Sequence, residues 1–169
     1  QGFADSLTLG CGQFCTNPGL LLAIDGPHLQ RFVEAATEAI AAKPAGTMLT
    51  PGIHAAFVTG AAVLREHPRV ERLAAGQSGH AAFGAQAQLF ATDAATFLAH
   101  PVLQHEIFGP VSMLVRCRDA VELLSVTRKL EGQLTATLQM DEGDLPMARE
   151  LLPALERLAG RILANGFPT

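Results

Sequence analysis

The chain alternates between short apolar stretches and stretches in which apolar residues recur at helical spacing. Leu20 to Ile24 is a continuous apolar run, which is typical of a strand covered on both faces. Pro27 follows it, at a position where the first turn of a helix accepts proline. Apolar residues then recur three or four positions apart, at Leu29, Phe32, Val33, Ala36 and Ile40. The pattern predicts a strand followed by a helix.

The same rhythm continues to the end of the sequence. A second helix is predicted from about Gly52 to His67, where Pro68 ends it, and weaker strands over Val70 to Ala75 and Ala85 to Thr92. In the second half, strands are predicted at Val111 to Cys117, Leu134 to Leu138 and Arg161 to Ala164. Helices are predicted from Asp119 to about Leu130 and from Ala148 to Leu158, the second one bent or broken at Pro153.

This strand–helix alternation predicts an α/β fold with a mostly parallel sheet and helices on both faces. The 169 residues are enough for one domain with a sizeable core and too few for two comfortable ones. No internal repeat or linker divides them. We therefore expect a single domain over residues 1–169.

Composition refines this picture. Only 17% of the residues are charged and 49% are hydrophobic, against roughly 25% charged in an average domain, so we expect large interfaces and a homo-oligomer. No apolar run approaches the roughly 20 residues of a membrane-spanning helix. The net charge is -4 without a Lys/Arg cluster, which makes nucleic acids and anionic membranes poor partners. Three cysteines do not make a disulfide framework, so a cytoplasmic location is expected.

The segment around Cys15 is the most informative for chemistry. Gly10 and Gly12 precede it, and Asn17-Pro18-Gly19 follows it as a turn signal. A thiol presented in a Gly-rich turn suits a nucleophile that attacks a carbonyl, because neighbouring backbone N–H groups can stabilise the oxyanion. The composition alone leaves open that Cys15 is a small buried apolar residue, as most free cysteines are. Cys11 and Cys117 are expected to be buried.

Three motifs resemble one family. Residues 12–16, G-Q-F-C-T, resemble the signature around the nucleophilic cysteine of aldehyde dehydrogenases. Residues 106–110, E-I-F-G-P, resemble that family's E-x-F-G-P motif, and residues 160–166 resemble the last strand of its catalytic domain. The motifs occur in the family's order and together cover essentially the whole chain. The chain is therefore identified as similar to the cysteine-bearing catalytic domain of an aldehyde dehydrogenase.

The resemblance implies specific roles. The Cys15 thiolate would attack an aldehyde to give a thiohemiacetal, hydride would pass to NAD or NADP, and water would hydrolyse the resulting thioester. The Cys15 backbone N–H would form half of the oxyanion hole, and Phe14 and Thr16 would shape the substrate tunnel. Glu106 would accept hydrogen bonds from the nicotinamide ribose, and Phe108 would pack near the nicotinamide.

The substrate is expected to be a small aldehyde. Phe167 belongs to an N-G-F-P-T segment which, with C-T-N-P-G after the nucleophile, resembles the branch that oxidises 2,5-dioxopentanoate (ketoglutarate semialdehyde). The family's Rossmann-like domain, oxyanion-hole asparagine, deacylating glutamate and oligomerisation hairpin have no counterpart in the sequence. We therefore expect the 169 residues alone to lack activity, to bind the cofactor weakly and to self-associate.

Two other functions stay open. A cysteine hydrolase would need a particular histidine as base, and none of the six is singled out. A non-catalytic α/β assembly domain would need no reactive thiol. No metal site is predicted, because Cys11 and Cys15 lie four apart without a second His or Cys pair at metal-ligand spacing.

Overall fold

A computed structural model describes all 169 residues. It contains eight strands, β1 Leu20–Ile24, β2 Gly46–Thr47, β3 Glu71–Ala75, β4 Gly84–Ala85, β5 Gln88–Asp93, β6 Val111–Cys117, β7 Gln133–Leu138 and β8 Ala159–Ala164. It contains six α-helices, α1 Gly2–Thr8, α2 Pro27–Ala41, α3 Pro51–Glu66, α4 Ala94–Ala99, α5 Ala120–Thr127 and α6 Leu145–Leu158. Short 3-10 helices cover Leu9–Gly12, Pro101–Gln104 and Glu142–Asp144. The predicted α/β class is confirmed.

The main sheet has four strands in the order β1-β6-β5-β3. Strands β1 and β5 both run parallel to the central strand β6, and β3 adds an antiparallel edge beside β5. Strands β7 and β8 form a separate parallel pair, and β2 and β4 form a two-residue antiparallel ladder. The prediction of a mostly parallel sheet therefore holds, although the last two strands form a sheet of their own.

Helices cover both faces of the sheet, as predicted. Side chains alternate along β6, so that Met113 and Val115 join one core cluster while Leu114 joins the other. The first cluster includes Phe57 of α3, Phe97 of α4 and Leu151 of α6. The second packs helices α1 and α2 against the opposite face. A strand covered on both faces favours apolar residues at consecutive positions. Strand β1 is apolar throughout, and Met113, Leu114 and Val115 of β6 are consecutive and buried.

Helix α6 contains Pro153 in its interior. The prediction was a helix bent or broken at this residue, and of these two outcomes the break is excluded because the helix continues through Pro153. A proline removes one N–H and frees the carbonyl four residues before it. Pro153 and Arg149 both lie on the exposed side, where water can satisfy that carbonyl. The opposite side, with Leu151 and Leu155, is buried against the core and holds the helix together.

Helices α4 and α5 show how capping side chains define where a helix begins. Helix α4 was not predicted, because it is only six residues long and begins at Asp93, whose side chain accepts from the Thr96 N–H. Asp119 caps α5 as predicted, but the helix ends at Thr127 and not near Leu130. No helix combines the length and the apolar character needed to span a bilayer.

Candidate active site

The segment before Cys15 is bent by three consecutive residues in the left-handed region. Gly10, Cys11 and Gly12 have φ angles of 53°, 59° and 65°. The Phe14 ring folds back over Gly10, where a β-carbon would lie 2.6 Å from the ring. Glycine is needed at position 10 for both reasons, since a side chain would strain the backbone and collide with the ring. The chain therefore reverses sharply after α1.

Cys15 lies at the centre of a β-turn. The Asn17 N–H donates to the Phe14 carbonyl at 3.0 Å, which closes a four-residue turn with Cys15 and Thr16 in its two middle positions. The Cys15 side chain is exposed and Thr16 is half-buried. Neither the Cys15 N–H nor the Thr16 N–H takes part in the chain's backbone hydrogen bonds. An exposed thiol thus lies beside two unused donors.

Gln13 ties this turn to the segment that enters α3. Its Nε2 donates to the Gly10 carbonyl at 3.0 Å, and its Oε1 accepts from the Leu49 N–H at 2.9 Å. Both functions of the amide are used, which fixes its orientation. Sequence reasoning treated Gln13 only as one letter of a motif, and its bridging role depends on a contact 36 residues away.

The E-x-F-G-P segment lies against helix α3 through alternate residues. Ile107 packs against Gly60, where a β-carbon would lie 2.9 Å from Ile107, and the Phe57 ring packs against Gly109 in the same way at 2.4 Å. Glu106 and Phe108 face outward and are exposed. Glu106 takes part in none of the three ion pairs of the chain. The two residues expected to hold a cofactor are therefore free to contact one.

The thiol turn and the E-x-F-G-P segment are in direct contact, although 92 residues separate Asn17 from Gly109. The Asn17 Nδ2 donates to the Gly109 carbonyl at 3.0 Å. The backbones also touch, since a β-carbon on Gly12 would lie 2.3 Å from the Gly109 carbonyl carbon. The Ser112 hydroxyl donates to the Pro18 carbonyl at 2.7 Å just beyond. The structure thus brings together the two motifs carrying Cys15, Glu106 and Phe108.

Phe167 lies at a different place along helix α1. Its ring covers Gly2, where a β-carbon would lie 2.3 Å away, and the Thr169 hydroxyl is 2.8 Å from that of Ser6. Arg161 donates to the Pro168 carbonyl at 3.1 Å. The C-terminal segment thus packs along α1 from Gly2 to Ser6, whereas Phe14 and Thr16 follow the end of that helix. The contacts of Phe167 link it to the thiol turn through α1 only.

The other two cysteines are buried, as predicted. Burial raises the pKa of the Cys11 thiol. Burial, and secondarily the carboxylates of Glu122 and Asp119, raises the pKa of the Cys117 thiol to about 11. Both effects disfavour the thiolate, which is the nucleophilic form. Cys15 is the only exposed thiol in the chain.

Several histidines already have partners. His54 Nε2 lies 3.2 Å from the Gly84 carbonyl, His67 Nδ1 accepts from the Arg69 N–H at 3.2 Å, and His100 Nδ1 donates to the Thr96 carbonyl at 2.9 Å. A cysteine hydrolase needs a histidine within hydrogen-bond reach of the thiol. None of these contacts pairs a ring with Cys15, so the structure gives the hydrolase no support.

Comparison with known proteins connects this chain with a family. The chain is 57% identical over 168 residues to alpha-ketoglutaric semialdehyde dehydrogenase 2 from Azospirillum brasilense, covering 99% of the chain. It is 42% identical over 170 residues to alpha-ketoglutaric semialdehyde dehydrogenase from Acinetobacter baylyi, covering all of it. The chain spans 32% of the length of each relative. No family model matches.

The fold is also found in solved structures. The crystal structure of delta-pyrroline-5-carboxylate dehydrogenase from Mycobacterium tuberculosis bound with NAD superimposes with a TM-score of 0.77 at 16% identity, covering 98% of this chain and 32% of that one. The chain belongs to the aldehyde dehydrogenase superfamily. Within it, the curated relatives that it resembles are alpha-ketoglutaric semialdehyde dehydrogenases, and it spans about a third of their length.

Proposed function

We propose that Cys15 is the nucleophile of an NAD(P)-dependent aldehyde dehydrogenase. The observation that carries this is the exposed Cys15 thiol at the centre of a β-turn that is locked to the E-x-F-G-P segment by the Asn17–Gly109 hydrogen bond. The names of the two relatives favour a small semialdehyde, 2,5-dioxopentanoate, as substrate. Residues 1–169 would form one catalytic domain of that enzyme.

The turn explains how the first step could proceed. The Cys15 thiolate donates an electron pair to the aldehyde carbon, and the carbonyl π electrons move to oxygen to give the alkoxide of a thiohemiacetal. The Cys15 N–H is unused in the backbone and can donate to that oxygen. Phe14 and Thr16 flank the nucleophile in the turn and would contact the rest of the substrate. The thiohemiacetal carbon carries the hydrogen that must leave as hydride.

Glu106 and Phe108 are suited to the nicotinamide half of NAD or NADP. Both are exposed on the segment that touches the thiol turn. A free carboxylate such as that of Glu106 can accept from two vicinal ribose hydroxyls, and the half-exposed Phe108 ring can pack beside the nicotinamide. The cofactor, when bound, supplies the hydride acceptor. These residues hold only one end of a dinucleotide, so weak binding is expected for the 169 residues alone.

Phe167 is proposed to contact the far end of the substrate. The N-G-F-P-T segment supports this by its resemblance to the 2,5-dioxopentanoate branch, and the exposed ring of Phe167 leaves a face free for a ligand. The ring lies over Gly2 at the start of α1, whereas Cys15 follows the end of that helix. The role therefore requires the substrate to reach from Cys15 to the Phe167 ring.

The surface supports association with other protein. The large apolar side chains of Leu49 and Val121 are each 78% exposed and that of Leu134 is 59% exposed, so association through these positions would remove apolar surface from water. We propose that the protein is a homo-oligomer in the cytoplasm. The 169 residues by themselves are proposed not to oxidise aldehydes, because none of their glutamates carries the motif of the family's deacylating base.

Addition of an aldehyde to Cys15 can be tested directly, since it needs neither cofactor nor base from elsewhere. Glutarate semialdehyde should slow alkylation of Cys15 by iodoacetamide reversibly, because the thiohemiacetal has no free thiolate. Glutarate, which has no aldehyde, is the matched control. Equal protection by both compounds, or protection by neither, would contradict the proposed function.

A further inference from the structure

The thiol turn and the Glu106–Pro110 segment are joined by the side chain of Asn17, which has no role in the proposed function. Asn17 closes the turn with its backbone N–H, which donates to Phe14. Its side-chain Nδ2 reaches across to the Gly109 carbonyl at 3.0 Å. Asn17 therefore closes the turn with its backbone and fixes, with its side chain, the distance between the turn and the segment that carries Glu106 and Phe108.

The Gly109 carbonyl serves as a shared anchor. It accepts from Asn17 Nδ2 and also from the Val111 N–H at 2.8 Å, so both of its lone pairs are used. The second bond holds the entry into strand β6. The Phe57 ring covers the other side of Gly109, where a β-carbon would lie 2.4 Å from it. Gly109, whose carbonyl accepts from Asn17, is therefore itself fixed to the sheet and to α3.

The orientation of the Asn17 amide is kept at a cost. Its Oδ1 is buried and has no hydrogen-bond partner in the chain, and an unsatisfied buried acceptor is unfavourable. If the side chain at position 17 only filled space, the protein would be more stable with a side chain that lacks this oxygen. The amide is accounted for by its donor function towards Gly109.

We propose that Asn17 is a positioning residue that couples the Cys15 turn to the Glu106–Pro110 segment. Its amide N–H fixes the thiol relative to the groups that would hold the nicotinamide, so that a movement of one segment moves the other. This inference rests on the proposed function for its consequence in catalysis. The mechanical coupling itself concerns only the two segments and can be measured separately.

Hydrogen exchange of the intact chain tests the coupling. Asn17→Asp keeps the size of the side chain but replaces the donor with an acceptor facing the Gly109 carbonyl. At neutral pH, exchange in peptides covering residues 12–19 and 104–111 should rise about fivefold, the effect of losing one net hydrogen bond. Asn17→Ala should produce a similar rise in both peptides.

Acidification separates a donor role from a space-filling one. When the carboxyl of Asn17→Asp is protonated, its O–H can donate to Gly109, so exchange in both peptides should return towards that of the unmodified chain after correction for intrinsic rates. Asn17→Ala should show no such return. A side chain that only fills space would leave the isosteric Asn17→Asp variant unchanged at every pH.

A control variant isolates the position of the bond. In the unmodified chain, Thr92 Oγ1 donates to the Arg69 carbonyl at 2.8 Å, and Thr92→Val removes this hydrogen bond. Thr92 lies near the end of strand β5 that is farther from Gly109, since Gln88 at the other end pairs with Val111. Thr92→Val should leave peptides 12–19 and 104–111 unchanged. The proposal is overturned if residues 104–111 do not respond in either Asn17 variant, or respond equally in Thr92→Val. Aldehyde protection of Cys15, measured in parallel, decides the nucleophile role independently.

Discussion

Gly12 and Gly109 are in backbone contact, so close that a β-carbon on Gly12 would lie 2.3 Å from the Gly109 carbonyl carbon. Gly12 also has a φ of 65°. Gly12→Ala should therefore destabilise the protein by roughly 2–5 kcal/mol, combining left-handed strain with overpacking. Urea unfolding measures this. Gly52→Ala, in the first turn of α3 with only the Thr50 hydroxyl nearby at 4.0 Å, is the control and should be neutral or stabilising.

The three thiols should differ sharply in reactivity. In the folded chain at pH 8, iodoacetamide should modify Cys15 first, because it alone is exposed. A pKa of about 11 leaves Cys117 with on the order of one thiolate in a thousand at that pH, and burial blocks access as well. Peptide mass spectrometry after timed alkylation gives the rates. Comparable rates at all three sites in the native protein would contradict the structure, and urea should equalise them.

Asp93 should contribute stability that disappears in acid. The Thr96 backbone N–H, then its hydroxyl and Arg69, lowers the pKa of the Asp93 carboxyl. Since the folded pKa lies below the unfolded one, the contribution is present above the unfolded pKa and is lost as pH falls through the folded pKa. Asp93→Ala should cost about 1 kcal/mol at pH 7, and the difference should shrink towards pH 3.

Asp93→Asn separates the cap from the charge. Asparagine keeps an oxygen that can accept from Thr96, so most of the helix-capping contribution should remain at pH 7. The part that depends on pH should vanish. An Asp93→Asn stability curve parallel to that of the unmodified chain between pH 7 and pH 3 would show that the carboxylate is not responsible.

Pro153 should be the least favourable residue of helix α6. It lies inside the helix on the exposed side, where it removes a hydrogen bond to the Arg149 carbonyl. Pro153→Ala restores that bond at a position with no buried contacts to lose, and proline costs about 3 kcal/mol in a helix interior. Greater freedom of the unfolded chain offsets up to about 1 kcal/mol. Thermal or urea unfolding should therefore show a gain of about 2 kcal/mol.

The pattern of apolar positions along the chain predicted most of the helices and strands. It succeeded where apolar residues in the sequence correspond to buried faces in the structure. Strand β1 was predicted with its observed bounds because Leu20 to Ile24 is apolar at every position. Helix α4 was missed because its six residues contain no full helical repeat, and its start is defined by the Asp93 side chain. The helix is not broken at Pro153, because the buried opposite face, which helix propensity does not take into account, holds it together.

The site was only partly predictable for a different reason. Cys15, Glu106 and Phe108 were chosen from motifs, and the structure places those motifs against each other. Their connection depends on Asn17 and Gly109, which are 92 residues apart. A local reading of Asn17-Pro18-Gly19 predicts a turn and nothing about what the asparagine side chain meets. Tertiary contacts of this kind leave no periodic signal in a single sequence.

The 92-residue separation between Asn17 and Gly109 also has a kinetic meaning. Closing so long a loop costs chain entropy before any contact compensates for it, and folds rich in such contacts form slowly. The pairing of β1 with β6, which starts just beyond this contact, requires the same closure. The thiol turn can close locally through the Phe14–Asn17 hydrogen bond, but we expect it to reach its position against Gly109 only when the central strand has docked.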